Sequence, residues 1–345
     1  DQDTYEVTRL AAECRAAGGS GEREAMPGVA CEEVESALEK RRRDAEQMLQ
    51  QVRAMSMALD RSVDILQGEL GTDSLSVEGV RSIVPMRRDV GQARQIYLQF
   101  AQMEITPGMM VEEEERLEGL LERGLNPEFN PRTIVGDDYA DLDERVYGNP
   151  DVEGPRAGHG TGVAGIIAGE RGNGIGEDGI APSARIMVLR TVPNGDERDK
   201  DVANAIRYAA DNGAHIVNMS FGKGYSPGKE AVDAAVRYAE ERGVLLVHAA
   251  GNEAQDLTTE RNFPNRFFGS GGEASTWIEV GASGWQGRER LAAQFSNYGR
   301  GHVDVFAPGV DIRTTDVGDA FQTNSGTSFA APVVSGLAAL IMAYY

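Results

Sequence analysis

Residues 201–251 read DVANAIRYAADNGAHIVNMSFGKGYSPGKEAVDAAVRYAEERGVLLVHAAG. Two segments of this stretch, 201–213 and 228–243, repeat apolar residues at helical spacing. The two runs that follow them, HIVNMS (215–220) and VLLVHAAG (244–251), are short, apolar and β-branched. Helix, strand, helix, strand with nearly continuous apolar strands predicts an α/β fold, a parallel sheet covered by helices on both faces. Downstream, WIEVGAS (277–283) and VDVFAPG (303–309) extend the series, and residues 326–345 read as a final helix. Upstream, ARIMVLRTV (184–192) has the composition of a further strand. In such sheets ligands sit off the carboxyl ends of the strands, where this chain places NMSFG, HAAGNE and FAPG.

Before residue 131 the pattern is different. Residues 1–130 hold 26 acidic and 15 basic side chains and are rich in helix formers, while 131–345 hold 29 and 19. Val34, Leu38, Met48, Val52, Met55, Leu59, Val63 and Leu66 recur at helical spacing and predict one long amphipathic helix over 31–67. Two more helices are expected at 90–103 and 110–122, with the Met and Leu stripe as their packing face. Nothing in this segment has the form of a reactive site.

The 345 residues carry a net charge of −21, which argues against a nucleic-acid binder that needs a basic face. No run approaches the roughly 18 apolar residues expected of a membrane span. Cys14 and Cys31 are too few for a disulfide framework and lack metal-ligand spacing, so their pairing stays open. The chain opens without Met and stops within a helix, so it is expected to be a fragment cut at both ends.

Three elements stand out for chemistry. His159 lies in AGHGTGVAGIIAG (157–169), whose small residues let a helix start beside it and hold the ring rigidly, as a general base requires. His215 and His248 fall in apolar strands and read as packing residues, and His302 sits in a Gly-flanked turn. Ser328 lies in NSGTSFAAPVVSG (324–336) at a helix start, where Ser325, Thr327 and Ser328 are equally suited to capping. Asn252 follows a strand in AAGNE (249–253), where an amide can donate to a developing oxyanion or simply form a turn.

Together, HGTGVAGIIAG, AAGNE and SGTSFAAP, in this order, closely resemble the subtilisin-like serine peptidases, and NMSFG, GIAPSARI and FSNYG…VDVFAPG resemble further parts of that family's core. The resemblance covers about 131–345. It implies serine endopeptidase activity on protein or peptide substrates through an acyl-enzyme. His159 would be the general base, Ser328 the nucleophile, and Asn252 with the Ser328 N–H the oxyanion hole. It also implies that Ser220, Phe221 and Gly222 pair with extended substrate and that Ala249 and Gly251 line the pocket for the residue before the cut. Export is implied too. No cofactor is required; structural calcium is an expectation, with oxygens in ERGNGIGEDG (170–179), but no ligand spacing names a metal residue. Phe221 and the acidic surface hint at apolar or basic substrates.

The family's Asp, which orients the imidazole, has no clear counterpart. Asp137 and Asp138 in RTIVGDDYADLDE (132–144) are nearest, but Gly136 interrupts a short run and Tyr139 follows where Ser/Thr-Gly belongs. The phrase IVGDD…YGNPDVEG…HGTGVAG instead resembles a subgroup with a long helical insertion between Asp and His. The Asp would then precede residue 1, and 1–130 would be the insertion into an incomplete core at 131–345. Asp137 or Asp138, or a core without its Asp, are the alternatives. Gly162 also departs from the family, which mostly carries a second His there. A nucleotide-binding reading of Gly160-Gly162-Gly165 or Gly174-Gly176-Gly179 fails because neither lies between a strand and a helix. A non-catalytic binding module with a decayed triad is the remaining rival.

Overall fold

The computed structural model describes residues 4–17, 23–154, 157–192, 197–285 and 291–345. They form two compact units. One comprises residues 7–25 and 29–130, and the other the N-terminal residues up to Glu6 together with 26–28 and 131–345.

In chain order the first third holds α1 (Thr4–Ala16), β1 (Glu24–Met26), β2 (Val29–Ala30), α2 (Cys31–Leu70), α3 (Val77–Ser82), α4 (Arg88–Gln102) and α5 (Pro107–Gly119). The long helix expected from the apolar spacing is α2, which buries Val34, Leu38, Leu49, Val52, Leu59 and Leu66 along one seam. Phe100 of α4 and Met110 and Leu117 of α5 pack against that seam. Met48 and Met55 do not follow the expectation of a packing face: they are 49% and 40% exposed, because α4 and α5 cover only one side of α2. The helix ends at Gly71, whose φ of 64° suits glycine and turns its N–H back to the Gln67 carbonyl. Ser76 and Thr106 cap α3 and α5 by accepting from backbone N–H groups. Cys14 and Cys31 form a disulfide.

The second unit contains α6 (Arg132–Val135), α7 (Gly158–Ala168), α8 (Asp199–Asp211), β3 (Ile216–Met219), α9 (Lys229–Glu240), β4 (Leu245–Ala249), β5 (Trp277–Ser283), β6 (Val305–Pro308), β7 (Ile312–Thr315), β8 (Phe321–Asn324) and α10 (Thr327–Tyr344). Strands β3-β4-β5-β6 pair in that order, all parallel. Leu246 faces Val202 and Ile206 of α8 and Val236 of α9. Val247, one residue on, faces Ala330 and Ala331 of α10. Alternate strand residues thus bury opposite faces, giving the double-sided α/β architecture expected.

Residues 184–192 differ from the expectation. They run without strand pairing, and Ile186, Met187 and Val188 are 44%, 41% and 51% exposed. A strand needs a neighbour's edge to satisfy its amides, and among the described residues none pairs with this segment or with the outer edge of β3. Both instead line one cleft. Among the described residues, α10 is long and apolar enough to cross a membrane by length and composition alone. Its residues Phe329, Ala330, Ala331 and Ser335 are buried against the sheet and α7, which gives its apolar character a packing cause.

Candidate active site

The buried face of α10 brings Ser328 to the carboxyl end of β3. Ser220 Oγ donates to the Ser328 carbonyl at 2.8 Å, and Ser328 Oγ donates back to the Ser220 carbonyl at 3.2 Å. Asn218 Nδ2 supports Ser220 Oγ at 2.9 Å, and Ser335 Oγ on α10 donates to Asn218 Oδ1 at 2.9 Å. Ser328 is therefore held to Ser220, the residue after β3, by two hydrogen bonds and stays half-buried. Gly222 is buried, and a Cβ there would lie 2.7 Å from Asn262 Oδ1. Phe221 is half-buried.

Asn252 is exposed at the end of β4. Its Oδ1 accepts from the Thr327 N–H at 2.8 Å and from the Thr327 hydroxyl at 3.1 Å. The donor N–H fixes which way the amide faces. Its Nδ2 is left with no hydrogen bond among the described residues, beside the first turn of α10. The N–H groups of that turn are helix-end donors, with the positive end of the helix dipole behind them. Gly251 N–H donates to Thr327 Oγ1 at 3.1 Å, so Thr327 ties both ends of the Gly251-Asn252 turn. The capping reading of Thr327 gives way to this role, since α10 has no side-chain cap.

Asn297, 1% exposed, completes the frame: Oδ1 accepts from Glu253 and Gln255 N–H at 3.0 and 2.9 Å, and Nδ2 donates to the Ala250 carbonyl at 2.8 Å. The FSNYG phrase held this residue without revealing its task. Ala249 and Gly251 are buried in the wall it supports.

His159 sits in the first turn of α7, exposed, with its ring edge-on to Phe329 at 5.7 Å between centroids. Desolvation by the surrounding protein pushes its pKa below the ordinary imidazole value. It makes no hydrogen bond to Ser328 or to a carboxylate among the described residues. It does border a cleft of about 1890 Å³, also lined by residues 181–192, the outer edge of β3 and the inner face of α10.

Asp137 and Asp138 are not brought to His159. Asp137, whose side chain is fully buried, accepts from Arg132 at 2.6 and 2.5 Å and from Lys200 at 2.7 Å. Burial opposes its charge, but these cations win and hold its pKa below the usual carboxylate value. The Asp138 carboxylate accepts from the Ala140 N–H. Nearby, Lys223, whose side chain is 1% exposed, pairs with Glu6 and Asp199. These acids stabilise buried cations.

His215 is exposed at the cleft and does not pack as expected. The reason is the unpaired edge of β3, at whose start it stands. His248 is fully buried, and its Nδ1 lies 2.8 Å from Glu279 Oε1, while Trp277 Nε1 donates to Glu279 Oε2 at 2.8 Å. His302 stacks on Phe267 at 4.8 Å. Within 170–179, Asn173 and Asp178 accept from backbone N–H groups of the loop, and Glu177 pairs with Arg313. Among the described residues no three His, Cys, Asp or Glu side chains converge as a metal set.

The sequence profile of the subtilase family matches residues 119–345. The chain is 40% identical over 217 residues to a thermophilic serine proteinase of Bacillus sp. (strain AK1), covering 63% of this chain and 48% of that protein. It is 38% identical over 186 residues to subtilisin BL of Lederbergia lenta, covering 53% and 62%. The chain thus spans about half the length of the first relative and three-fifths of the second. A cold-adapted subtilisin-like serine proteinase of known structure is 31% identical, with 60% of this chain and 67% of that chain covered and a TM-score of 0.45. With two thirds of its length matched by that profile, the chain belongs to the subtilase family.

Proposed function

We propose that this protein is a serine endopeptidase in which Ser328 attacks a peptide carbonyl, His159 takes its proton, and Asn252 Nδ2 with the Ser328 N–H stabilises the oxyanion. The observation that carries this reading is the double hydrogen bond from Thr327 to Asn252 Oδ1, which leaves the amide nitrogen beside the nucleophile. Ser328 Oγ must turn from the Ser220 carbonyl to meet His159, a rotation about one side-chain bond. Attack then forms the acyl-enzyme and releases the amine, which takes the proton back from His159; water enters by the same route in reverse. Extended peptide lies along residues 220–222, and the residue before the cut enters between that segment and Ala249–Gly251.

The carboxylate that orients His159 belongs, in this reading, to a further parallel strand laid between the outer edge of β3 and residues 184–192. The cleft there is bordered by His159 and exposes Ile186, Met187 and Val188. Work outside the cytoplasm is supported by the Cys14–Cys31 disulfide, a bond that persists in oxidising surroundings.

The test is labelling by a fluorophosphonate probe. Ser328→Ala and His159→Ala abolish it if the reading holds; equal labelling of wild type and Ser328→Ala overturns it.

A further inference from the structure

The surroundings of Gly162 point to a positioning device. A Cβ at Gly162 would lie 2.8 Å from Gln322 Nε2, 3.0 Å from Thr314 Cγ2 and 3.3 Å from Phe329 Cε1. The space is taken by Gln322. Its Nε2 donates to the Gly158 carbonyl at 2.8 Å and to the Thr315 carbonyl at 3.1 Å. Two carbonyls facing one amide end can be satisfied only by nitrogen, which fixes the side chain's orientation. Its Oε1 in turn accepts from Asn324 Nδ2.

These contacts join three parts of the site. Gly158 immediately precedes His159 on α7. Gln322 and Asn324 belong to β8, which runs into Ser325-Gly326-Thr327-Ser328. Thr314, opposite Gln322 in the β7–β8 ladder, donates its hydroxyl to the Gly162 carbonyl at 2.7 Å, and Thr315 donates to the Thr161 carbonyl at 2.8 Å. The bonds from Thr314 and Thr315 tie the middle of α7 to β7. Gln322 reaches the residue just before His159, and it does so from the strand that leads to Ser328.

We propose that Gln322 is a positioning residue for His159, clasping the first turn of α7 to the hairpin before Ser328, and that glycine at 162 is what makes room for it. This rests on His159 acting as the base, so the test includes readouts that need no turnover.

The full chain is compared with Gln322→Glu, Gln322→Ala, Gly162→Ala and the pair Gly162→Ala/Gln322→Ala, with Thr323→Ala on the exposed side of β8 as control. Gly162→Ala lowers the melting temperature by about 4 °C or more, and by less than half as much in the Gln322→Ala background. Equal losses in both backgrounds overturn the shared-space argument. The His159 ring gives one sharp NMR signal in wild type and control but a broadened or doubled one in Gln322→Glu, whose carboxylate cannot donate to two carbonyls. An unchanged signal overturns the clasp. At pH 8 fluorophosphonate labelling slows about tenfold in Gln322→Glu, with KM for peptide unchanged; wild-type labelling with wild-type rate overturns the positioning role. Absence of labelling in every variant, wild type included, counts against the peptidase reading, while the melting and NMR readouts still decide the clasp.

Discussion

Thr327 donates its backbone N–H and its hydroxyl to the same oxygen of Asn252, at 2.8 and 3.1 Å. The residue before Ser328 therefore sets the direction of the Asn252 amide, the group proposed to serve the oxyanion. Thr327→Val removes two hydroxyl bonds, the one to Asn252 Oδ1 and the one from the Gly251 N–H, and keeps the backbone one. A neutral hydrogen bond is worth about 1 kcal/mol, so the looser Asn252 amide lowers kcat about fivefold, while the orphaned Gly251 N–H lowers the melting temperature. Asn252→Ala removes the donor itself and costs more. Steady-state kinetics on a peptide substrate ranks the two, and an equal or larger effect of Thr327→Val contradicts the arrangement.

His159 titrates below 6.5 in this chain, because the protein around it disfavours the imidazolium. In the proposed reaction His159 must be neutral to accept the Ser328 proton. Labelling therefore holds as pH falls through the ordinary imidazole range and is lost only below it, with the NMR midpoint of His159 shifted down in step. An apolar peptide ending in aspartate, added to fill the cleft beside β3, raises that midpoint and speeds labelling. The same peptide ending in asparagine does not.

Buried His248 shows the opposite sign. Burial alone would lower its pKa, but the Glu279 charge and hydrogen bond together raise it above 6.5. Its contribution to stability is complete below pH 6.5, the unfolded value, and is lost as pH rises through the higher folded value. Urea denaturation across this range shows the decline in wild type and a flatter curve in His248→Gln. Parallel curves would show that the His248–Glu279 pair does not titrate as described.

Asp137→Asn leaves Lys200, whose side chain is fully buried, and Arg132 short of a counter-charge. Removing one partner of a buried pair costs about 3–5 kcal/mol, and thermal unfolding of the full chain reads it. Any catalytic loss then follows the unfolded fraction. A selective fall in kcat with unchanged stability would return Asp137 to the active site.

Much of the α/β unit is legible in the sequence, for local reasons. Strands β3 to β6 and helices α8 to α10 each announce themselves by apolar period over a few residues, and HGTG, AAGNE and SGTS carry their residues on element ends. Asn297 and Gln322 were not legible, because each acts on backbone far away in sequence: Asn297 holds 250–255, and Gln322 reaches Gly158. Residues 184–192 misled, since β-branched composition records a fit to a sheet but cannot supply the neighbouring edge. Met48 and Met55 misled likewise, because apolar spacing says which face of α2 is apolar and not how much of it α4 and α5 cover.

By itself the sequence determined the alternation of helix and strand and singled out His159, Asn252 and Ser328 as candidates, because periodicity and motif spacing are properties of neighbouring residues. Only the tertiary structure decided that Asp137 serves buried Lys200 and Arg132, that Cys14 meets Cys31, and that Gln322 occupies the room left at Gly162. Those outcomes depend on which groups the folded chain brings within a few ångströms. A carboxylate's partner, unlike a helix's period, is chosen by burial and charge across long separations.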